Sequence, residues 1–537
     1  MRDEYQVRPA QKAALGAAGN GIATALGKAV SLHMAGKPKE ALAELNSALE
    51  SGPGSVELYS ARGHIQFELE MYDEAAKSYA ALLDEAPGHP TGNFNMAVCL
   101  EKLGRWQQAS QRFQRAIDAD PARAEAKLGL AISLLHMEQP EPALEAFEHY
   151  LEANPNDDTA QFGRGVALQL LWRFDDAAAI YKGMLLKNPA SEESLTNLVA
   201  IAMARKDEAL TREYSEKLLS LRPFSQAAME GLATCAFSSS DYEAAAKLCA
   251  RLVEFTPDHF ERWFNLGVAY QKTNRLEQAA HAYGEAIRVR PDAKQAFVNL
   301  GIVKQTLNDL KGAKDAYQRA LKITPDVPDV LFNLATVMEQ QGPKDEAEKQ
   351  YQRLLVKNPE WEEAWFRLGY LKLERGDYKG AAEAFEACLR KKPAWPEALI
   401  NLGLSHWKAG NRDAASYAFQ RMLELKPDSI DAMRGLAAIA VEKEDFNQAL
   451  EIQAKLIDVG ERSPELFYNT GLLLQKSGQM DDAIRLYREA LNEKPDFAEA
   501  LLNLGHALKT KGDVDEARSC WRQAIDAKPE LARGYFE

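Results

Sequence analysis

Six asparagines stand at a spacing of 34 residues or twice that: Asn265, Asn299, Asn333, Asn401, Asn469 and Asn503. Arg367 and Gly435 fill the two gaps in the series. A primary amide offers one acceptor and two donors. A row of amides can therefore clasp the N–H and C=O groups of an extended backbone and hold a peptide without reading its side chains. That is binding chemistry, and nothing beside it points to a reaction. The chain has no GxxxxGK[ST] phosphate loop, no HExxH metal helix and no GxSxG elbow. Its nine histidines are scattered, and His64 and His506, at equivalent places in distant segments, cannot share one site. Cys99, Cys235, Cys249, Cys388 and Cys520 lie far apart with no CxxC spacing, which argues against a disulfide framework or a zinc site. The reading is a chain that is not an enzyme and needs no cofactor and no metal.

The same period governs the elements that must carry these amides. Proline recurs every 34 residues from Pro53 to Pro529 in fourteen of fifteen slots, with Glu461 in the remaining one. With proline as position 32, repeat 1 begins at Ile22 and repeat 15 at Ala498. Position 20 is alanine in every repeat except the sixth, which has Thr211, and position 8 is glycine or alanine except for Val199 in the same repeat. Position 24 is usually aromatic, as at Tyr79, Phe113, Tyr283, Tyr351, Phe419 and Trp521. Small residues at 8 and 20 let two antiparallel helices approach closely, and the ring at 24 fills the space they leave. Glycine at position 15, as at Gly104 and Gly376, ends the first helix in a left-handed turn. Acidic pairs such as Asp73-Glu74 and Asp481-Asp482 favour the positive start of the second helix, and the proline ends it.

This pattern resembles the tetratricopeptide repeat over residues 22–531. The resemblance implies an all-α, right-handed superhelical solenoid of about fifteen helix-turn-helix repeats, with the first helix of each pair lining a concave groove. Residues 1–21 then form an N-terminal segment, poorly ordered or capping. Residues 22–259 hold repeats 1–7, residues 260–531 hold repeats 8–15 with the amide row, and 532–537 are a C-terminal stub. Repeats 6 and 7 are degenerate: Lys206–Thr211 reads as sliding out of register, and Ser238-Ser239-Ser240 replaces the usual turn. A local bend or looser packing is expected there. The short stub, with Tyr535 and Phe536, implies a partner, further chain or a meagre fold-back over the last repeat.

The amide row itself resembles the asparagine ladder in the repeat domain of the protein O-GlcNAc transferases, which lines the inner groove. That likeness makes Asn265, Asn299, Asn333, Arg367, Asn401, Asn469 and Asn503 the candidate ligand contacts. Positions 5 and 9 flank position 6 on a helix face and bring Phe264, Phe332, Phe366, Tyr370 and Leu404 beside the row. Trp407, near Phe366, Tyr370, Leu373 and Leu404, reads as part of an anchoring pocket. Acids at position 2, including Glu261, Glu363, Glu397 and Glu499, favour a basic or neutral segment over an acidic one. Arg367 stands alone beside Glu363, so the cationic clamp that grips a C-terminal carboxylate is not expected.

The formal charge of −14 argues against nucleic acid, and no stretch approaches the roughly 20 apolar residues of a membrane span. A cytoplasmic chain is expected, with self-association through terminal repeats as a further expectation. Three functions stand open. The first is a non-catalytic scaffold that binds extended peptide segments in the groove of repeats 8–15. The second is a substrate-recruiting module of an O-GlcNAc-transferase-like glycosyltransferase whose catalytic domain is not in this chain. The third is a spacer or assembly factor in a bacterial envelope or secretion complex.

Overall fold

A computed structural model describes residues 20–530 of the 537, apart from Pro343. The terminal stretches 1–19 and 531–537 lie outside the described residues, and with them the stub and most of the N-terminal segment. The described residues form thirty α-helices and no strand, paired as fifteen hairpins that follow the 34-residue frame. In repeat 8 the first helix is Phe260–Lys272 and the second Leu276–Val289, which are positions 1–13 and 17–30.

The reason for the small residues is visible at position 8. A Cβ on Gly267 would lie 2.6 Å from the Tyr283 ring, and one on Gly301 would lie 2.5 Å from Tyr317. A ring at position 24 lies against bare backbone wherever position 8 is glycine, and Tyr79, Phe113, Tyr283, Tyr351, Phe385 and Tyr487 are wholly buried. Between the helices every repeat turns on a left-handed residue at position 15. Seven are glycines, such as Gly104 and Gly512, and eight are not, among them Glu70, Trp172 and Asn308 with φ between 55° and 60°. The turn is thus set by the packing of the hairpin, and glycine only eases it.

The chain packs as two compact bodies, one reaching Asp258 and the other starting at His259. Within each, first helices of neighbouring repeats touch, as Glu192–Ala204 does Gln226–Ser238 and Pro396–Lys408 does Ile430–Glu442. No comparable contact joins neighbouring second helices among the described residues. First helices therefore lie on the inner side of each body's curvature.

Repeats 6 and 7 correct the expectation of slipped register. Their helices, Glu192–Ala204 with Glu208–Leu221 and Gln226–Ser238 with Tyr242–Phe255, keep positions 1–13 and 17–30, and Lys206 and Ser240 make the ordinary left-handed turn. The physical reason is an exchange of volume. Position 24 of repeat 6 is Ser215 instead of a ring, and the enlarged Val199 and Thr211 occupy the space, all three buried. Asp207 caps the second helix by accepting the Leu210 N–H at 3.0 Å.

Candidate functional site

The row at position 6 lies on the first helices, and its amides divide into two groups. Asn299 donates to the Tyr283 hydroxyl at 3.3 Å and accepts from the Gln295 amide at 3.2 Å. Asn503 donates to the Tyr468 hydroxyl at 3.1 Å and to the Glu499 carbonyl at 3.0 Å. These two tie one repeat to the one before it. Asn265, Asn333, Asn401 and Asn469 make no side-chain hydrogen bond within the described residues; Asn265 and Asn469 are exposed, Asn333 and Asn401 half-buried. The unengaged amides thus fall in alternate repeats, 8, 10, 12 and 14. Arg367 sits 3.6 Å from Glu339 in an ion pair.

The rings expected to flank the row are half-buried and stacked, not open floor. Phe264 packs on Phe260 and Tyr283, with centroids 5.7 and 5.8 Å apart. Phe332 lies between Tyr351 and Trp361, at 5.8 and 5.6 Å, and Phe366 between Phe385 and Trp395, at 5.7 and 4.7 Å. Trp361, Trp395 and Phe497 stand at position 34, a class of aromatic that sequence reasoning missed although its spacing is visible. Trp407 joins Phe366 and Leu373 in one apolar cluster, and its indole N–H donates to Glu442 at 3.0 Å. Tyr370 is 41% exposed and Leu404 half-buried.

Charge at the margin is partly spent. Glu261 binds Arg290 at 2.7 Å and Glu499 binds Lys528 at 2.8 Å, and these hydrogen bonds lower both carboxyl pKa values. Asp329, Glu363, Glu397, Asp431 and Glu465 are exposed and make no ion pair within the described residues.

Positions 12 and 24 obey a rule that the sequence states and reading it missed. Tyr181, Tyr283, Tyr317, Tyr351 and Tyr487 each donate a phenol O–H to a side-chain oxygen at position 12, namely Gln169, Gln271, Gln305, Glu339 and Gln475. Where position 24 is Phe147, Phe385 or Phe419, position 12 is Leu135, Leu373 or Trp407. Repeats 2 and 3 break the rule: Phe67 stands at position 12 with Tyr79, whose hydroxyl accepts from Asn95 at 3.2 Å, and Glu101 stands there with Phe113. One carboxylate oxygen of Glu101 is buried without a hydrogen-bond partner, and burial pushes its pKa to about 7.

Also unforeseen is a cluster in repeats 1 and 2, where His33, His64 and Glu68 offer ligand atoms within 4.8 Å of one another. The Glu68 carboxylate lies 2.5 Å from His33 Nε2 and 3.3 Å from His64 Nε2. A metal-ligating imidazole donates its second N–H to an acceptor, whereas His64 Nδ1 is buried with no partner. The group is therefore a carboxylate shared by two imidazoles.

No described helix is long and apolar enough to cross a membrane. Tetratricopeptide repeat models match residues 26–90, 200–260, 264–328 and 301–355 in one form and 66–118, 104–163 and 474–534 in another. The model of the Cilia and flagella-associated protein 70 middle TPR-like domain matches residues 331–435. No curated protein matches the chain. Among solved structures, YrrB, "a TPR protein with an unusual peptide-binding site", is 24% identical with a TM-score of 0.33, covering 35% of this chain and 98% of its own. MamA is 25% identical with a TM-score of 0.29, covering 31% and 97%. A tetratricopeptide repeat protein from Parabacteroides merdae is 18% identical with a TM-score of 0.32, covering 50% and 98%. With fifteen hairpins in one 34-residue frame and repeat models matching most of its length, the chain belongs to the tetratricopeptide repeat family.

Proposed function

We propose that this chain is a protein-interaction scaffold whose repeats 8–15 hold an extended, neutral or basic segment of a partner along the first helices. One observation carries the reading: the amides of Asn265, Asn333, Asn401 and Asn469 have no bonding partner within the described residues and recur in alternate repeats on the inner face. An amide that merely stiffened the stack would be tied down as Asn299 and Asn503 are. The five unpaired acids at position 2 favour the segment's charge.

Magnitudes limit what the row does alone. Four net hydrogen bonds contribute about 2–6 kcal/mol at roughly 0.5–1.5 each. Association costs on the order of 4–15 kcal/mol. Side-chain pockets must supply the difference, so the row sets direction and register and the pockets set affinity.

Phage display of unstructured peptides tests this. The wild-type chain should select peptides that are lost when Asn265, Asn333, Asn401 and Asn469 are changed together to alanine. They should be retained when only Asn299 and Asn503 are changed. Equal capture by all three proteins would make the row a structural feature and end the proposal.

A further inference from the structure

Repeat 13 departs from the pattern at four positions that meet in space. Glu461 replaces the proline, Arg434 replaces the apolar residue at position 5, Val441 replaces the acceptor at position 12, and Gln453 replaces the ring at position 24. The second helix, Phe446–Asp458, ends one residue early, and the chain turns at left-handed Gly460. Glu461 then folds under and pairs with Arg434, with its side chain only 10% exposed.

Where most other repeats hold a ring, a cleft of about 610 Å³ opens between repeats 13 and 14. Ala438, Leu456, Leu466 and Leu472 give it an apolar wall. Gln453 is 6% exposed and lines it, and its Oε1 has no hydrogen-bond partner. A buried acceptor left unpaired is destabilising. It is retained here beside a cavity of ligand size. The rim carries two cations, Arg434 and Lys476, and two anions, Glu461 and Glu465, so it favours a neutral occupant.

We infer that this cleft takes a tyrosine side chain of the bound segment, whose ring occupies the space of the missing one and whose O–H donates to Gln453 Oε1. The geometry repeats in trans what Tyr283 does toward Gln271 and Tyr487 toward Gln475 within their own repeats. The inference rests on the groove reading above, since Asn469, one of the unengaged amides, stands at the cleft's edge.

Ligand-observed NMR titration of the full chain with N-acetyl-tyrosinamide, N-acetyl-phenylalaninamide and p-cresol tests it. Tyrosinamide should bind about two- to tenfold tighter than phenylalaninamide, the effect of one net hydrogen bond. Gln453→Leu should abolish that preference. Gln453→Phe, which restores the repeat pattern, should abolish binding of both amides while raising hydrogen-exchange protection in repeat 13. Equal binding of the two amides, binding by neither, or a preference that survives Gln453→Leu would overturn the proposal. Binding of p-cresol as tight as tyrosinamide would assign the cleft to a free phenol and overturn the peptide occupant. The two readings fail separately. Loss of selected peptides in the four-amide variant without a tyrosine preference removes only the pocket, and a tyrosine preference with unchanged capture removes only the row.

Discussion

Repeats 6 and 13 both carry a polar, non-aromatic residue where most repeats have a ring, Ser215 in one and Gln453 in the other. In repeat 6 the loss is made good from across the hairpin, because Val199 and Thr211 are larger than the residues they replace and the interior closes. In repeat 13 positions 8 and 20 keep their alanines, Ala437 and Ala449, so nothing grows into the space and the cleft remains. The same lesion is therefore silent in one place and a site in the other. The family frame tolerates loss of the ring, and the residues facing it decide what the loss becomes.

Repeats 3 and 10 extend the comparison to position 12. Both present a glutamate, but Glu339 meets the Tyr351 hydroxyl at 2.9 Å, while position 24 of repeat 3 is Phe113, which has no hydroxyl, and one Glu101 oxygen stays buried without a partner. Because a solenoid's stability is a sum of local terms, these differences are best read repeat by repeat from amide exchange.

The largest effect is expected at Glu101. Its carboxyl pKa in the fold, about 7, lies above the ordinary 4.5, so the folded state binds the proton more tightly than the unfolded chain. Its stabilisation is fully present below about pH 4.5 and is lost as pH rises through about 7. Glu101→Leu, which matches repeats 4 and 11, should add about 3 kcal/mol to repeat 3 at pH 8 and flatten that pH dependence. An unchanged pH profile would show that the carboxyl reaches water.

Next comes Ser215→Phe in repeat 6, where Val199 and Thr211 already occupy the space. Overpacking should cost about 1–3 kcal/mol in local protection. If the variant is instead stabilised, repeat 6 is not closed and the contrast with repeat 13 collapses. Gln453→Phe should act in the opposite sense, stabilising repeat 13 by about 0.5–2 kcal/mol as a cavity-filling change. A loss there would mean that the cleft has no room for a ring. The smallest stability effect belongs to Asn333→Ala and Asn401→Ala, each within about 0.5 kcal/mol, because neither amide bonds within its body. A larger loss would reveal a structural role for the row.

The fold was legible because its determinants repeat. Fourteen prolines, the alanines at 20 and the rings at 24 state the hairpin almost completely. Repeat 6 looked slipped because its small positions were read one at a time, whereas packing conserves their summed volume with Ser215. The site was legible only by position class. Spacing placed Asn265 through Asn503 on one row, but engagement by Tyr283 and Tyr468 comes from neighbouring repeats, and no period announces it. The pairing of His33 with His64 escaped notice for the same reason, since they occupy positions 12 and 9 of successive repeats. Gln453 was readable as an exception, but only packing shows that nothing answers it.

The early end of the second helix in repeat 13 has a mechanical consequence. In a stack where each repeat leans on its neighbours, a pull along the axis is carried in series, and the seam with the least interlocking gives way first. The second repeating body has that seam between repeats 13 and 14, where a helix is short, the proline is absent and a cleft stands open. A ring bridging it would act as a rivet. Stretched in an optical trap, this half should release its last two repeats as the first event, at a force that rises when the cleft is filled.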